Sequence, residues 1–460
     1  MEKIAVIGLG YVGLPLACLC AKKGYDVVGL ENKQNIVDLL KAGKSHIVDH
    51  EVKKSLAEAH SSGLLFPTSN NGDISDCKIY LICVPTPVNE NLEPDLSPLL
   101  SAISSISPFI KKGDIVVVES TVFPGTCETI VQPLLEKNTG MKVGDDIHLG
   151  HCPERVNPGD AFWTTENIPR VVGATTTVAV ELVAEFYRSI LGGDIFDVQD
   201  IRASLRPKFQ KSDGSSYQPA VVPLGGVTKM RSIRDAEAVK AMENTVRDVN
   251  IAFVNELAKI SNVLKLDVVD IIDGMSTKPF GKGPFYPGIG VGGHCIAVDP
   301  EWLKAASKKA GYAPEIIELS RKTSNGMPQY AIDLLQDALN DCSMHIKENK
   351  ITLLGVSYKK NIDDKRESPF FEIRKILEKK GASICTYDSW VADESTVNSL
   401  EEALSGASAV ILITDHDDLV SELIKLNLNK YGIKVIVDGR NCLDKKEILS
   451  QGVKYIGIGR

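Results

Sequence analysis

The chain has 460 residues, of which 43% are hydrophobic and 24% are charged, and this composition excludes a disordered chain, collagen and a disulfide scaffold. The formal net charge of −8, with no long basic run, argues against a nucleic-acid backbone as the main partner. The ten cysteines form no C-x-x-C pair, so the sequence predicts a reducing compartment and indicates neither a metal site nor a redox dithiol.

The N-terminal segment is apolar from residue 4 to residue 21 and follows Lys3, a pattern that also occurs in secretory signal peptides. Three glycines and Pro15 interrupt it, and a buried strand, a glycine turn and a helix account for the whole run. No other stretch of the sequence is long enough to span a bilayer. We therefore expect a cytoplasmic protein without membrane attachment.

The first third of the chain alternates short apolar strands with helices. A helix is predicted over Val12–Lys23, and strands over Ile4–Ile7, Asp26–Leu30, Ile79–Val84, Ile115–Val118, His148–Gly150 and Arg170–Val172. Such an alternation predicts a doubly wound parallel sheet, which we assign to a domain over residues 1–198.

A G-x-G-x-x-G motif follows the first strand and reads Gly8-Leu9-Gly10-Tyr11-Val12-Gly13. Its glycines permit a tight turn, a close approach of the backbone to a pyrophosphate, and packing of helix on strand. Glu31, directly after the second strand, would accept hydrogen bonds from ribose hydroxyls and repel a 2′-phosphate. Although Lys33 lies nearby, the motif predicts NAD rather than NADP.

The middle of the chain departs from this alternation. Residues 199–234 are rich in Ser, Pro, Gly and basic residues, and we expect an excursion loop there, either a solvated insertion or a basic flap. One long helix is predicted over Ala236–Leu266. Its apolar stripe comprises Val239, Met242, Val246, Val249, Phe253, Leu257 and Ile260. The stripe predicts a homodimer through this helix, with burial inside one subunit as the alternative.

The last third is a second α/β region, with strands predicted over Ile351–Gly355, Ser383–Tyr387, Ala409–Thr414 and Lys434–Val437. The predicted fold class is therefore α/β, with two Rossmann-like doubly wound parallel-sheet domains joined by a long central helix. Residues 235–345 form the central helical linker and dimerisation domain, and residues 346–460 form the second sheet domain. A cleft between two such domains is a usual place for a site that takes two ligands.

A glycine-rich loop carries the most reactive side chain. Residues 290–300 read Gly-Val-Gly-Gly-His-Cys-Ile-Ala-Val-Asp-Pro, so three glycines precede Cys295. The backbone of such a loop can press against a ligand, with the thiol at its end. A nucleophilic thiol in a protein that binds NAD suggests an aldehyde trapped as a thiohemiacetal and then oxidised to a thioester.

Further motifs carry a family resemblance. In chain order they are Val84-Pro85-Thr86-Pro87, Glu119-Ser120-Thr121-Val122, Cys152-Pro153-Glu154-Arg155, Glu243–Asn250, Tyr358-Lys359 and Arg366–Pro369. With them the chain resembles the UDP-glucose/GDP-mannose dehydrogenases over nearly its whole length, and most of all the UDP-N-acetylhexosamine 6-dehydrogenases. The resemblance implies that residues 346–460 bind a UDP-sugar. It also implies that two NAD in turn oxidise the sugar C6 alcohol to a uronate for surface polysaccharide or glycan.

The resemblance also implies roles for individual residues. The catalytic set is Cys295 as nucleophile, Glu154 as base for the hydrolytic water, Lys240 and Asn244 at the C6 oxygen, and Asp299 and Thr121 as positioning groups. The cofactor set is Gly8, Gly10, Tyr11, Val12, Gly13, Glu31, Pro85, Thr86 and Thr121. The substrate set is Glu154, Arg155, Lys240, Asn244, Phe285, Tyr286, Gly292, Lys359 and Arg440.

For several of these residues a purely structural role stays open as an alternative. Glu154 would serve equally as one half of an ion pair with Arg155 or another base. Lys240 and Asn244 would otherwise form a solvated helix face, and the aromatic pair Phe285 and Tyr286 would otherwise belong to a core.

The substrate and the reaction have alternatives as well. Phe-Tyr-Pro-Gly at 285–288 favours UDP-N-acetylglucosamine, whereas Ile-Ala-Val-Asp-Pro at 296–300 also occurs in the mannosamine type, and UDP-glucose is a third candidate. A two-electron dehydrogenase of the β-hydroxyacid type would leave residues 350–460 unexplained. A non-catalytic NAD and nucleotide-sugar binding protein would not need Cys295, Glu154, Lys240 and Asn244 together.

Overall fold

The computed structural model describes residues 2–89, 93–156, 162–199, 224–277 and 284–460, except for the side chains of His294 and Cys295. The chain divides into two units, Met1–Glu243 with Glu301–Ala310, and Asn244–Pro300 with Gly311–Arg460. Within the described ranges, no helix is both long and apolar enough to cross a membrane.

The first unit contains a nine-stranded sheet. Its strands are β1 (Lys3–Ile7), β2 (Asp26–Leu30), β3 (Leu65–Thr68), β4 (Ile79–Ile82), β5 (Ile115–Val118), β6 (His148–His151), β7 (Arg170–Ala174), β8 (Ile195–Asp197) and β9 (Val227–Lys229). The order is β3-β2-β1-β4-β5-β6-β7-β9-β8, and β1 to β6 are parallel in the order of a dinucleotide-binding fold. Strand β7 pairs antiparallel with β6. Because Ile7 is level with both Leu30 and Ile82, the loops after β1, β2 and β4 begin at one edge of the sheet.

Helices cover both faces of this sheet. They are α1 (Gly13–Lys22), α2 (Gln34–Lys41), α3 (His50–Ser62), α4 (Ser97–Ile106), α5 (Gln132–Thr139), α6 (Thr177–Leu191) and the start of α7 (Ile233–Leu264). One buried cluster joins the strands to α1, α3 and α6, and another joins them to α4 and α5. Burial on both faces explains why these strands read as continuous apolar runs.

The second unit contains a five-stranded parallel sheet. Its strands are β10 (Lys350–Leu354), β11 (Ser383–Tyr387), β12 (Ala409–Leu412), β13 (Val435–Asp438) and β14 (Lys454–Gly457), in the order β11-β10-β12-β13-β14. The remaining helices are α8 (Val268–Ser276), α9 (His294–Lys309), α10 (Glu315–Asn325), α11 (Met327–Asp341), α12 (Pro369–Lys379), α13 (Leu400–Leu404), α14 (Asp417–Leu423) and α15 (Lys445–Ser450). This strand order is the other common doubly wound arrangement.

The predicted fold class is confirmed, and each strand that the sequence predicted is present with ends shifted by at most a few residues. The sequence missed β3, β8, β9 and β14. Strand β3 carries Pro67 at the edge of the sheet, and β8 and β9 have three residues each, too few for a periodic pattern.

Within the predicted excursion loop 199–234, residues 200–223 lie outside the described residues. The loop prediction does not hold for β9, where Val227 is buried by pairing with β7 and β8.

The long helix α7 buries the face opposite to its apolar stripe. Met242, Val246, Phe253 and Ile260 of that stripe are exposed, whereas Val239, Val249 and Leu257 are half-buried, so most of the stripe is not buried inside one subunit. The buried side chains on α7 are mostly small or polar and include Glu237, Lys240, Asn244, Thr245, Asp248, Asn255 and Ser261. Buried polar groups need partners, and the carboxylate of Glu237, for example, accepts hydrogen bonds from the backbone N–H groups of Gly125 and Cys127.

Candidate active site

The glycine motif forms the turn between β1 and α1. Gly8 has a φ of +89°, and a Cβ added at Gly13 would lie 1.9 Å from the Gly8 carbonyl oxygen, so α1 can pack this closely on the turn only without a side chain there. A Cβ at Gly10 would meet no atom within 4 Å. This open space lies at the N-terminus of α1, whose unpaired N–H groups and dipole favour an anion. The turn therefore fits the pyrophosphate of NAD.

Glu31 lies beside this turn at the end of β2. Its two carboxylate oxygens accept hydrogen bonds from the backbone N–H groups of Leu9 and Lys33, each at 3.1 Å. Each oxygen keeps acceptor capacity for a ribose hydroxyl. The carboxylate is thus fixed against the glycine turn, in which Tyr11 is exposed and Val12 is half-buried.

The loops after β4 and β5 are joined by a threonine. The hydroxyl of Thr86, which is buried, donates a hydrogen bond to the carbonyl oxygen of Thr121 at 2.7 Å. Pro85 is exposed and the side chain of Thr121 is half-buried. The structure therefore uses Thr86 to hold the backbone of Thr121 in place, and a role of these residues toward the cofactor stays a prediction.

Glu154 follows β6 and is held from three sides. One oxygen accepts hydrogen bonds from the backbone N–H groups of Arg155 (2.6 Å) and Val156 (2.7 Å), and the other accepts one from Arg170 at 2.8 Å. Burial alone would raise the pKa of Glu154, but Arg170, the two N–H groups and Lys240 together hold it below its usual value. Glu154 is therefore a carboxylate at neutral pH and lies within the electrostatic reach of Lys240.

Arg155 is not the partner of this carboxylate. Its guanidinium forms a two-pronged ion pair with Glu243 of α7 and donates to the carbonyl oxygen of Pro169 at 3.0 Å. The ion-pair alternative for Glu154 is therefore realised with Arg170, the other base, while Arg155 holds the loop after β6 against α7.

In the second unit, two predicted residues meet directly. The Nδ2 of Asn244 donates a hydrogen bond to Oδ2 of Asp299 at 2.5 Å, and both side chains are buried. Asp299 belongs to α9, and Cys295 lies in the first turn of the same helix, one turn earlier. Asn244 and Lys240 are thus not a solvated face, because each is only 8% exposed.

The glycine loop before Cys295 is pressed against the loop after β10. A Cβ at Gly292 would lie 2.6 Å from the Cβ of Tyr358 and 2.7 Å from the carbonyl oxygen of Glu367. The backbone N–H of Gly293 donates to the carbonyl oxygen of Arg366 at 3.0 Å. The cysteine loop, the Tyr358-Lys359 motif and the Arg366–Pro369 motif, which are far apart in the sequence, therefore meet at the carboxyl end of β10.

Arg440 ties the neighbouring loops together. Its guanidinium donates to the carbonyl oxygens of Ile413 (2.8 Å) and Tyr358 (3.1 Å), which follow β12 and β10. Of the predicted aromatic pair, Phe285 packs against the core of this unit and the Tyr286 hydroxyl donates to Asp273 of α8, and a role of the pair toward the substrate stays a prediction. Lys359 and Arg440 lie at the sheet edge where open sheets bind ligands.

Sequence reasoning missed the side chains behind Glu154. Arg170 is fully buried and also donates to Glu119 at 3.2 Å, and the hydroxyl of Tyr187 donates to the same carboxylate. An arginine that opens an otherwise apolar strand was the available signal, because a buried charge requires a partner.

These features define an NAD-binding enzyme with two sheet domains. The first sheet carries a half-buried ionised carboxylate and a buried lysine, and the carboxyl edge of the second sheet is packed against the cysteine loop. Sequence profiles of the UDP-glucose/GDP-mannose dehydrogenase family match its NAD binding domain to residues 2–191, its central domain to residues 234–325 and its UDP binding domain to residues 352–445. The chain belongs to this family and is an NAD-dependent UDP-sugar dehydrogenase.

Relatives of known name support the same class. UDP-N-acetyl-D-mannosamine dehydrogenase from Pyrococcus horikoshii is 34% identical over 458 residues, which is 100% of this chain and 99% of the relative. UDP-N-acetyl-D-glucosamine 6-dehydrogenase from Pseudomonas aeruginosa is 36% identical over 86% of this chain and 85% of the relative. A solved structure of UDP-D-ManNAc dehydrogenase from P. horikoshii has a TM-score of 0.86 at 34% identity and covers 100% of this chain and 99% of its own. The family resemblance, the enzyme class and NAD are thereby confirmed.

Proposed function

We propose that this enzyme oxidises the C6 hydroxyl of a UDP-N-acetylhexosamine, with UDP-N-acetylglucosamine as the first candidate, to the uronate for surface polysaccharide or glycan. The carbon loses four electrons to two NAD⁺ in turn, and one water supplies the second carboxylate oxygen. Bound NAD⁺ supplies the hydride acceptor. Side chains of this chain carry out the proton transfers and the covalent steps.

Each proposed role has a physical basis. The buried cation of Lys240 and the amide of Asn244 stabilise negative charge on the C6 oxygen as its proton leaves. Cys295 attacks the aldehyde and later carries the thioester. Glu154 takes the proton of the water that releases the thioester. Asp299 orients Asn244 through their hydrogen bond, and Thr121 positions a water or the cofactor.

The state of Glu154 is the observation that carries this proposal. A carboxylate this buried would normally take up a proton, yet its neighbours keep its pKa below the usual value. A structural ion pair needs one cation, whereas Glu154 has Arg170, Lys240 and two N–H donors around it. Such an arrangement keeps a base ready at neutral pH, as the hydrolytic step requires.

A second substrate candidate is UDP-N-acetylmannosamine. The relatives named as mannosamine dehydrogenases align with the whole chain, whereas those named as glucosamine dehydrogenases align with 86% and 85% of it. The two candidates differ only in the configuration at C2 of the sugar. The choice therefore rests on contacts with the acetamido group.

We also propose that the enzyme works as a homodimer through α7. Val246 (54% exposed), Phe253 (61%) and Ile260 (46%) form one apolar stripe on this 32-residue helix, and Ile316 and Leu319 of α10 are exposed as well. Apolar surface of this extent is usually covered by a partner.

We place the reaction in the cytoplasm, because the free thiols of the nine cysteines with described side chains fit a reducing compartment.

The test is a count of NADH per sugar. The purified enzyme is incubated with NAD⁺ and limiting UDP-GlcNAc, UDP-ManNAc, UDP-GalNAc or UDP-glucose, and absorbance at the end point gives the ratio. We expect two NADH per UDP-GlcNAc and loss of turnover with retained substrate binding in Cys295→Ser. One NADH per sugar would indicate a simple dehydrogenase, and none from any sugar would indicate a binding protein.

A further inference from the structure

One guanidinium in the first unit lies between two carboxylates. Arg170, at the start of β7, donates to Glu154 at 2.8 Å and to Glu119, directly after β5, at 3.2 Å. The hydroxyl of Tyr187 on α6 donates to the other oxygen of Glu119. Arg170 and Tyr187 are fully buried and Glu119 is 1% exposed, while the side chain of Glu154 is 12% exposed. The array therefore runs from the sealed interior to the accessible carboxylate of Glu154.

The other titratable groups around the array leave this balance intact. Lys240 of α7 adds a cation on the side of Glu154. Cys20 of α1, Cys83 after β4 and Cys152 after β6 face Glu119 and Arg170, and burial raises the pKa of all three thiols far enough to keep them neutral. Burial also raises the pKa of Tyr187, so it stays a donor.

The two carboxylates compete for the charge of Arg170. Burial raises the pKa of Glu119 to about 7, with Arg170 acting to lower it and the charge of Glu154 acting to raise it further. A negative charge on Glu119 in turn opposes ionisation of Glu154, because like charges at this separation disfavour each other. Glu119 thus has a use beyond packing, because it fixes the orientation of the Arg170 guanidinium that contacts Glu154.

We propose that Arg170, fixed from behind by Glu119 and Tyr187, is a positioning residue for thioester hydrolysis that keeps Glu154 ionised and oriented toward the attacking water. In that step, which rests on the proposed function, Glu154 takes a proton from water as the water oxygen bonds to the thioester carbon. The carbon–sulfur bond then breaks, the electron pair returns to Cys295 as thiolate, and Glu154 releases its proton to solvent.

The array predicts different effects for two variants. Burial raises the pKa of Glu119 to about 7, so Glu119 is already neutral in the acid range where Glu154 titrates. Glu119→Gln therefore keeps a neutral group of the same shape beside Arg170 and Tyr187 and leaves the acid limb of hydrolysis where it is in the wild type. Arg170→Lys keeps a positive charge but cannot contact both carboxylates with a single guanidinium. Its acid limb therefore moves to higher pH, and hydrolysis at neutral pH slows because Glu154 loses its fixed orientation. We expect a shift of about one pH unit and a rate loss of roughly tenfold or more in Arg170→Lys.

The experiment measures the hydrolytic step alone. Enzyme is mixed rapidly with UDP-sugar and NAD⁺ and quenched with acid, and the covalent adduct is followed by intact-protein mass spectrometry between about pH 3.5 and pH 9, with brief pH jumps at the acid end because the pKa of Glu154 lies below its usual value. Arg170→Lys is expected to accumulate the adduct at neutral pH while its first NADH forms at the wild-type rate. Glu166→Gln, which removes one partner of the surface pair with Lys22, is the control and keeps the wild-type profile.

The outcomes separate the two proposals. An unchanged acid limb and an unchanged hydrolysis rate in Arg170→Lys, in an enzyme that forms two NADH per sugar, would overturn the positioning role only. Absence of a second NADH in the wild type would overturn the proposed function. If Arg170→Lys does not fold, Tyr187→Phe decides instead, because it removes the hydrogen bond that holds Glu119 behind Arg170. The adduct should then accumulate while the first NADH forms at the wild-type rate, and wild-type hydrolysis in this variant would overturn the positioning role.

Discussion

The amide of Asn244 and the carboxylate of Asp299 form a buried hydrogen bond of 2.5 Å between the central helix and the helix that begins at the cysteine loop. Asn244 therefore presents its amide in one orientation, and the residue that orients it is one helical turn from the proposed nucleophile.

Removal of this orienting group is expected to slow oxidation more than binding. Asp299→Ala frees the Asn244 amide and leaves it without its acceptor, and loss of a hydrogen bond to a buried charge costs about 1.5–3 kcal/mol. We predict a fall in kcat of roughly tenfold to a hundredfold with an unchanged Kd for NAD. Asn250→Ala on the same helix is the matched control, because its side chain donates a hydrogen bond to the Val246 carbonyl oxygen and to no other group of the described residues. Equal losses in both variants would refute the role.

Glu154→Gln tests the hydrolytic base. The variant keeps its shape but cannot take a proton from water, so the thioester on Cys295 should accumulate after both NADH of the first turnover have formed. We expect steady-state turnover to fall by roughly 10²–10⁴-fold, measured by NADH formation, with the adduct seen by mass spectrometry. Wild-type turnover in this variant would show that another group activates the water.

The glycine motif offers a matched pair of substitutions. Gly13→Ala places a Cβ 1.9 Å from the Gly8 carbonyl oxygen and forces α1 away from the turn, so we predict a lower melting temperature. Gly10→Ala meets no protein atom within 4 Å and should keep the melting temperature while weakening NAD binding by tenfold or more, roughly 1.4 kcal/mol. Circular dichroism and calorimetric titration separate the two effects, and the reverse pattern would contradict the assignment.

Phe253→Asp tests the dimer. A charge in the middle of the exposed apolar stripe would have to be desolvated in the proposed interface, so the variant should sediment as a monomer. Val178→Asp, on an exposed position of α6, should leave the sedimentation coefficient unchanged. If the wild type sediments as a monomer at micromolar concentration in analytical ultracentrifugation, the proposed homodimer is contradicted.

His151 predicts a loss of stability in acid. Burial lowers its pKa from 6.5 to about 3 in the folded chain. Between these two values the unfolded state binds a proton that the folded state does not, so the free energy of unfolding falls as the pH falls through this window. We expect the difference between wild type and His151→Phe to decrease by about 1.4 kcal/mol per pH unit below pH 6.5 in urea unfolding. A difference independent of pH would show that His151 titrates normally.

Local sequence patterns were sufficient to predict the strands that are buried on both faces of the sheet. Ile79–Ile82 and Ile115–Val118 read as strands because every residue in them is apolar, and the glycine spacing after β1 identified the NAD turn. The short or edge strands β3, β8 and β9 were missed because their pairing, rather than their composition, makes them strands.

The site was predictable residue by residue but not as an arrangement. Asn244 and Asp299 were both named from the sequence, but the hydrogen bond between them was not predicted and appears only in the structure. Arg170 was not predicted as a site residue, because its partners Glu119 and Glu154 lie 51 and 16 residues away in the chain. The local sequence around an arginine does not indicate which carboxylate it will pair with in the folded protein.

The amino-acid sequence by itself determined the two doubly wound sheets and the cofactor, because periodicity and glycine spacing act over a few residues and survive any packing, and its spaced motifs indicated the reaction class through a family resemblance. The antiparallel pairing of β7 with β6 was not predicted. Only the tertiary structure decided which face of the central helix is buried. An apolar stripe favours burial, but the polar face of α7 finds partners such as Asp299 and the N–H groups of Gly125 and Cys127. Whether a buried charge or amide is stable depends on partners that the fold brings from elsewhere.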